Sequence, residues 1–192
     1  LVILHGLFGT LDNWQTLGKQ FADNYMVFLV DLRNHGRSPH LPEHNYSLMA
    51  ADLVRFMENN WLHRAHILGH SMGGKVAMQL ALDHPDLVDK LVVVDMGTKA
   101  YPGGHELILE TLSDIDPTKI DSRSAAEALM VDRIPDIGIR QFLMKNLSRE
   151  KTGGYRWKMN LPIIAKNYDT IIEASNQDKS YDGDALFIRG SE

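Results

Sequence analysis

Strand and helix signals alternate along residues 1–95, and the alternation predicts an α/β protein built on an open, mostly parallel sheet flanked by helices. The strand segments are apolar throughout, as in Leu91-Val92-Val93-Val94, the pattern of strands covered on both faces. From about residue 97 to 182 the periodicity is mostly helical, and sheet signals resume only at Ala185. The expected organisation is therefore a sheet core over 1–96, an inserted helical lid over 97–182 and a return strand of the core over 183–192.

Leu1 to Leu4 reads as the first strand. Asp12 or Asn13 is a cap for a helix running to about Ala22, with Trp14, Leu17 and Phe21 on one face. Tyr25 to Val30 is a second strand. Ser47 caps a helix to about Asn60, and Arg64 to Leu68 is a third strand, followed by a helix over Gly74 to Leu82. Lys90 to Asp95 is a fourth strand. In the lid, helices are expected over His105 to Leu112, Ser124 to Val131, Ile137 to Leu147 and Leu161 to Ala174. A short extended piece is expected over Gly153 to Met159, and Ala185 to Arg189 is the last strand.

Bulk properties narrow the function. The 192 residues are 44% hydrophobic and 23% charged, which suits one compact domain. The net charge of −5, with no basic cluster, argues against a nucleic-acid partner. The chain has no cysteine, which excludes disulfides, thiolate nucleophiles and thiolate-ligated metals. No apolar run approaches the roughly 18 residues of a membrane helix. The chain begins at Leu1 inside a strand and stops just after another, so it reads as part of a longer protein. A cytoplasmic location is the expectation, and the sequence does not give an oligomeric state.

Gly69-His70-Ser71-Met72-Gly73 is the motif with most chemistry in it. It lies between the third strand and its helix, the context in which a G-x-S-x-G pattern forms a nucleophile elbow. Glycine is required beside the serine because so tight a turn brings backbone against backbone. The helix that follows offers free N–H groups and a positive dipole end beside the Ser71 hydroxyl. His5-Gly6-Leu7-Phe8-Gly9 supplies the complementary part. A serine acting on an acyl carbon needs donors for the tetrahedral oxyanion, usually the N–H after the nucleophile and one from the loop after an earlier strand. Met72 and Leu7 are the expected donors, with Phe8 the alternative to Leu7.

A serine hydroxyl also needs a histidine base oriented by a carboxylate. Asp95 lies past an apolar strand at the same sheet end as Ser71 and is the candidate acid. The competing position follows the last strand, where Glu192 is the acidic residue. Of the nine histidines only His105 follows Asp95, at the start of the lid. The general base is therefore expected beyond residue 192. His5, His70 and His84 read as structural, with His70 turned away from Ser71. His35, His40, His44, His63 and His66 lack the carboxylate spacing of a metal site and read as solvated loop residues. No metal or cofactor is expected. Lys75 follows the Gly69 turn, but Val76 occupies the hydroxyl position of a phosphate-binding loop, so nucleotide binding is not expected.

The chain resembles the α/β-hydrolase superfamily, and within it the YbfF-type esterases and their eukaryotic abhydrolase relatives. The matching residues are His5 to Gly9 with Asp12-Asn13-Trp14, Asp31 to Ser38, Gly69 to Lys75, and Val93-Val94-Asp95. Arg140 to Leu143 and Trp157 to Leu161 extend the likeness into the lid. The resemblance implies Ser71 as nucleophile, Asp95 as acid, backbone donors at Leu7 and Met72, and hydrolysis of small acyl esters or thioesters. The sequence departs from the family in lacking its opening strands and terminal histidine segment. Phe8, Trp157, Met130, Met144 and Met159 are candidates to line an apolar acyl pocket. A cofactor-free lyase or C–C hydrolase uses the same catalytic set. A ligand-binding module without turnover is the alternative outside enzymes.

Overall fold

The computed structural model describes residues 1–175 and 178–191. Its centre is a five-stranded sheet of β1 (Val2–Leu4), β2 (Phe28–Val30), β3 (Ala65–His70), β4 (Val88–Val94) and β7 (Asp184–Ile188). The order is β2-β1-β3-β4-β7 and every pairing is parallel. Parallel neighbours need crossovers, and α1 (Gln15–Phe21), α2 (Tyr46–Asn59) and α3 (Met72–Asp83) supply them. The chain order reverses around β1, which pairs with β2 on one side and β3 on the other. Leu4 of β1 stands opposite Gly69 of β3, so both strands end at one crevice. Open α/β sheets bind ligands at such a switch point.

α3 is buried on nearly every side, from Met72 to Met78 without interruption, as expected for a helix at the centre of a core. It can sit so close to the sheet because Gly73 has no side chain. A Cβ there would stand 2.6 Å from the His5 carbonyl oxygen and 2.7 Å from that of Leu4. Val2, Leu4, Ile67, Val93, Val76 and Leu80 form the apolar layer between sheet and helices.

Between β4 and β7 the described residues form five α-helices and a hairpin. The helices are α4 (Glu106–Ser113), α5 (Arg123–Ala128), α6 (Ile137–Met144), α7 (Leu161–Lys166) and α8 (Tyr168–Ile172). β5 (Leu147–Arg149) pairs antiparallel with β6 (Tyr155–Trp157). Several expected boundaries shift. The first helix is preceded by a 3-10 turn over Leu11–Trp14, capped at Thr10, whose N–H donates to the Asn13 side chain at 2.8 Å. Asn45, not Ser47, caps α2, accepting from Leu48 N–H at 2.9 Å. The helix expected over Ile137 to Leu147 ends at Met144, because Leu147 joins β5. The helix expected over Leu161 to Ala174 is two, interrupted at Asn167.

Side chains tie the insert to the core. Tyr46 Oη donates to the Ile171 carbonyl, Thr170 Oγ1 to that of His44, and Asn160 Nδ2 to Asn34 Oδ1. Lys75 is the most unusual tie. It is 1% exposed, and its ammonium donates to the carbonyls of Thr98 (3.1 Å), Lys99 (2.7 Å) and Glu173 (3.0 Å). A buried ammonium must be hydrogen-bonded to be tolerated, and here it pins α3, the loop after Asp95 and the end of the insert together. Among the described residues, no helix is long and apolar enough to cross a membrane.

Candidate active site

Ser71 joins β3 to α3 at φ 51° and ψ −120°, a conformation non-glycine residues adopt only under constraint. The constraint is visible at Gly69, where a Cβ would fall 2.1 Å from the Gly73 carbonyl oxygen. The Ser71 N–H is held by the Val94 carbonyl at 3.0 Å, fixing the elbow to the neighbouring strand. Met72 is the first residue of α3, so its N–H has no intrahelical partner.

The loop after β1 packs directly on this turn. A Cβ on Gly6 would meet His70 Nδ1 at 3.0 Å and Ser71 Cβ at 3.2 Å, so any other residue would make the His70 ring or Ser71 give way by a few tenths of an ångström. Gly9 N–H closes a turn onto the Gly6 carbonyl at 2.9 Å, with Phe8 at φ 59° in its third position, a type II signature normally reserved for Gly or Asn. The Leu7 and Phe8 N–H groups have no hydrogen-bond partner among the described residues. The Phe8 carbonyl accepts from Asn146 Nδ2 at 2.6 Å. Asn146 is wholly buried and its Oδ1 has no partner among the described residues, so this one bond is what its amide contributes. Sequence reading missed Asn146, because nothing in its neighbourhood sets it apart from a helix-terminal asparagine.

A cavity of about 460 Å³ opens over Ser71. Its walls are mainly apolar: Leu7, Phe8, Trp14 and Leu17 from the core, with Ile108, Ile139, Phe142 and Leu143 from the insert. Phe8 is thus where sequence placed it. Trp157 is not among the lining residues: it pairs through its backbone with Leu147 in the hairpin, and its Nε1 is buried without a partner among the described residues. Met130, Met144 and Met159 are buried in the hydrophobic core and do not line the cavity.

The histidines divide differently from expectation. His70, expected to turn away from Ser71, lines the same cavity, its ring edge-on to Trp14. Burial lowers its pKa, against an opposing pull from the Asp95 charge. His105 also lines the cavity. His35 and His44, expected in a solvated loop, are fully buried, because the Arg33–Asp52 ion pair (2.6 Å) anchors that loop against α2. Asp31 reinforces it, accepting from Leu11 and Arg37 N–H groups. Among the described residues, no group of three or more His, Asp or Glu side chains is arranged to hold a metal ion.

Asp95 follows β4 at the sheet end that carries Ser71. It is exposed at φ 52°, with its N–H donated to the Ile188 carbonyl at 2.7 Å. Its positive φ is a strained conformation for a non-glycine residue. Glu192, the competing acid, lies outside the described residues.

The alpha/beta hydrolase fold family matches residues 1–123. The chain belongs to that family. The sn-1-specific diacylglycerol lipase ABHD11 of Danio rerio is 38% identical over 200 aligned positions, covering 100% of this chain and 62% of its own length. Esterase YbfF of Escherichia coli is 34% identical over 191 positions, covering 99% of this chain and 73% of its own. Among solved structures, one described as a marine microorganism esterase superposes with a TM-score of 0.96 at 39% identity, covering 99% of this chain and 76% of that one. The chain therefore spans less than two thirds of the length of the Danio rerio relative. The likeness to YbfF and to the ABHD11 proteins agrees with the subgroup named from the motifs.

Proposed function

We propose that this chain is the substrate-binding and nucleophile-bearing part of a serine hydrolase acting on acyl esters or thioesters. The observation that carries the reading is Ser71, held at φ 51° at the base of an apolar cavity and flanked by free N–H groups. The names of the esterase and lipase relatives point the same way. Ser71 Oγ attacks the acyl carbon, and its proton passes to a histidine supplied beyond residue 192 and oriented by Asp95. The Leu7 and Met72 N–H groups hold the oxyanion, each such donor being worth about 3 kcal/mol of barrier. The alcohol or thiol leaves with the histidine's proton. Water then gives its proton to the same base, attacks the acyl-enzyme and restores the serine. The insert acts as a lid that closes the acyl site from above.

The test is covalent labelling. The native polypeptide carrying this chain, treated with a fluorophosphonate, is expected to gain one adduct by intact mass, and the Ser71→Ala variant none. Folded wild-type protein that takes no adduct would sink the serine mechanism.

Asn146 gives a second expectation. With its amide gone, the Phe8 carbonyl is unheld and the Leu7 donor drifts from the oxyanion. Asn146→Ala is expected to lower kcat on the order of tenfold, less than outright loss of an oxyanion donor, with KM within about a factor of two. Steady-state kinetics on a p-nitrophenyl ester checks it, and an unchanged kcat in a stably folded variant would mean the turn holds itself.

A further inference from the structure

We infer that His105 is a hydrogen-bond donor to the substrate, and that the preferred ester carries a second oxygen acceptor near its scissile group. The inference rests on the reading of Ser71 as nucleophile and names what else the cavity recognises. His105 precedes α4 and lines the cavity from the insert side. Its backbone N–H donates to Tyr168 Oη at 3.1 Å, and its Nδ1 lies 2.9 Å from the same oxygen. The pairing that gives the phenol proton an acceptor among the described residues puts it on the Nδ1 lone pair and leaves the imidazole proton on Nε2. Burial also lowers the His105 pKa, against the pull of Glu106, which favours the neutral ring.

With Nδ1 committed to Tyr168, the edge left for the cavity carries Nε2–H. Edge contacts to Phe8 and Tyr168, both at 5.9 Å between centroids, hold the ring's plane. The same tautomer removes His105 as the general base. That role needs a free Nε2 lone pair and an Nδ1–H held by a carboxylate. His70 and Asn13 Nδ2, also in the wall, have no hydrogen-bond partner among the described residues, whereas other polar atoms there are engaged. His5 uses both nitrogens, on the Gly6 carbonyl and the Leu32 N–H, and Asn13 Oδ1 accepts from Thr10 N–H. An all-alkyl substrate seated here buries Nε2–H without a partner, whereas an ether, keto or ester oxygen pairs it. Sites built to hydrogen-bond a substrate discriminate strongly against analogues lacking the group.

Matched p-nitrophenyl esters test this, a series in which one CH₂ of the acyl chain is replaced by oxygen at successive positions. A parallel series of butyrates of alkoxyalkanols covers the alcohol side. Rates are divided by those for hydroxide hydrolysis. In the native polypeptide, kcat/KM for one oxygen position is expected to exceed its alkyl match by about tenfold. His105→Phe is expected to erase that preference, bringing the ratio of kcat/KM between the oxygen-bearing ester and its alkyl match to about one. Tyr168→Phe, which removes the proton that sets the tautomer, is expected to weaken the preference in the same direction. A wild-type profile flat in both series, with the fluorophosphonate adduct present, overturns the inference alone. Equal loss on alkyl and oxygen-bearing esters in His105→Phe also overturns it. Absence of the adduct overturns it together with the serine mechanism.

Discussion

Ser71→Ala and Gly69→Ala are each expected to abolish ester turnover, by different routes. Ser71→Ala removes only Oγ. The backbone is unchanged, so the melting temperature should stay close to wild type while kcat falls by on the order of 10⁶. Gly69→Ala leaves Ser71 chemically intact and removes the geometry that exposes it. The added Cβ would lie 2.1 Å from the Gly73 carbonyl oxygen, 2.4 Å from its carbon and 2.6 Å from Gly74 N. All three are backbone atoms, so no rotamer change relieves the overlap. The start of α3 must move off β3, and α3 is itself wedged against the Leu4 and His5 carbonyls through Gly73. Overpacking a well-packed core typically costs about 1–3 kcal/mol, and a backbone clash at the core's central helix lies at or above the top of that range. Turnover, fluorophosphonate labelling and thermal unfolding measured together separate the two variants. A Gly69→Ala protein with wild-type melting and wild-type labelling would show that the elbow has slack that these distances deny.

The features legible in sequence are those whose physics is local. The elbow is one: a glycine two residues either side of the serine answers a clash within five residues of chain. The apolar strands and the interruption after Asp95 are another, because burial on both faces writes itself as a continuous apolar run. What was not legible depends on partners far along the chain. Tyr155–Trp157 falls within the extended piece expected over Gly153 to Met159, but its partner Leu147–Arg149 is a three-residue strand, too short for period two to stand out, and it begins where a helix end is expected. Trp157 goes with that hairpin instead of the cavity. His35 and His44 sit in a segment whose composition reads as solvated, and their burial is decided by Arg33 reaching Asp52 nineteen residues later. Asn146 touches Phe8 across 138 residues, a separation at which sequence spacing says nothing.

That buried loop leads to the second large effect, a steep loss of stability between pH 6.5 and 4. His5, His35 and His44 lie in a row, their rings tilted to one another with centroids 5.1 Å and 5.6 Å apart, and all three are essentially inaccessible to solvent. Burial pushes His5 down to about 4, and His35 and His44 down to about 3, with the neighbouring histidines adding to the effect. The hydrogen bonds explain why a proton is unwelcome. His5 Nδ1 faces the Gly6 carbonyl and Nε2 accepts from Leu32 N–H, so a second proton costs that bond. His35 donates through Nδ1 to the Arg33 carbonyl, and a proton on its Nε2 would find no acceptor among the described residues. His44 Nδ1 faces the Asn34 amide donor, and the nearby Arg33 charge repels a cation further. His40 and His70 are the other titratable groups facing the row, and neither brings a negative charge. Arg33 itself is matched to Asp52.

The folded pKa values lie below the unfolded value near 6.5, so between those limits the unfolded chain binds more protons and stability rises with pH. The stability is complete above pH 6.5 and is lost as pH falls toward the folded values. At pH 5 each histidine withholds about 2 kcal/mol, so three acting independently withhold about 6, comparable with the whole stability of many domains. Thermal unfolding from pH 7.5 to 4.5 should show the melting temperature level above 6.5 and falling steeply below it. His44→Gln, which keeps a side-chain amide in place of the ring, should reduce the slope between pH 6 and 5 by about a third. A melting temperature that stays level from pH 7 to 5 would mean that these rings take up protons in the folded state. The same histidines back the Gly6 turn through His5 and the insert through the His44 carbonyl, which accepts from Thr170. Acid should therefore loosen the loop that carries the Leu7 donor before it unfolds the sheet, and turnover should fall at a higher pH than far-ultraviolet ellipticity.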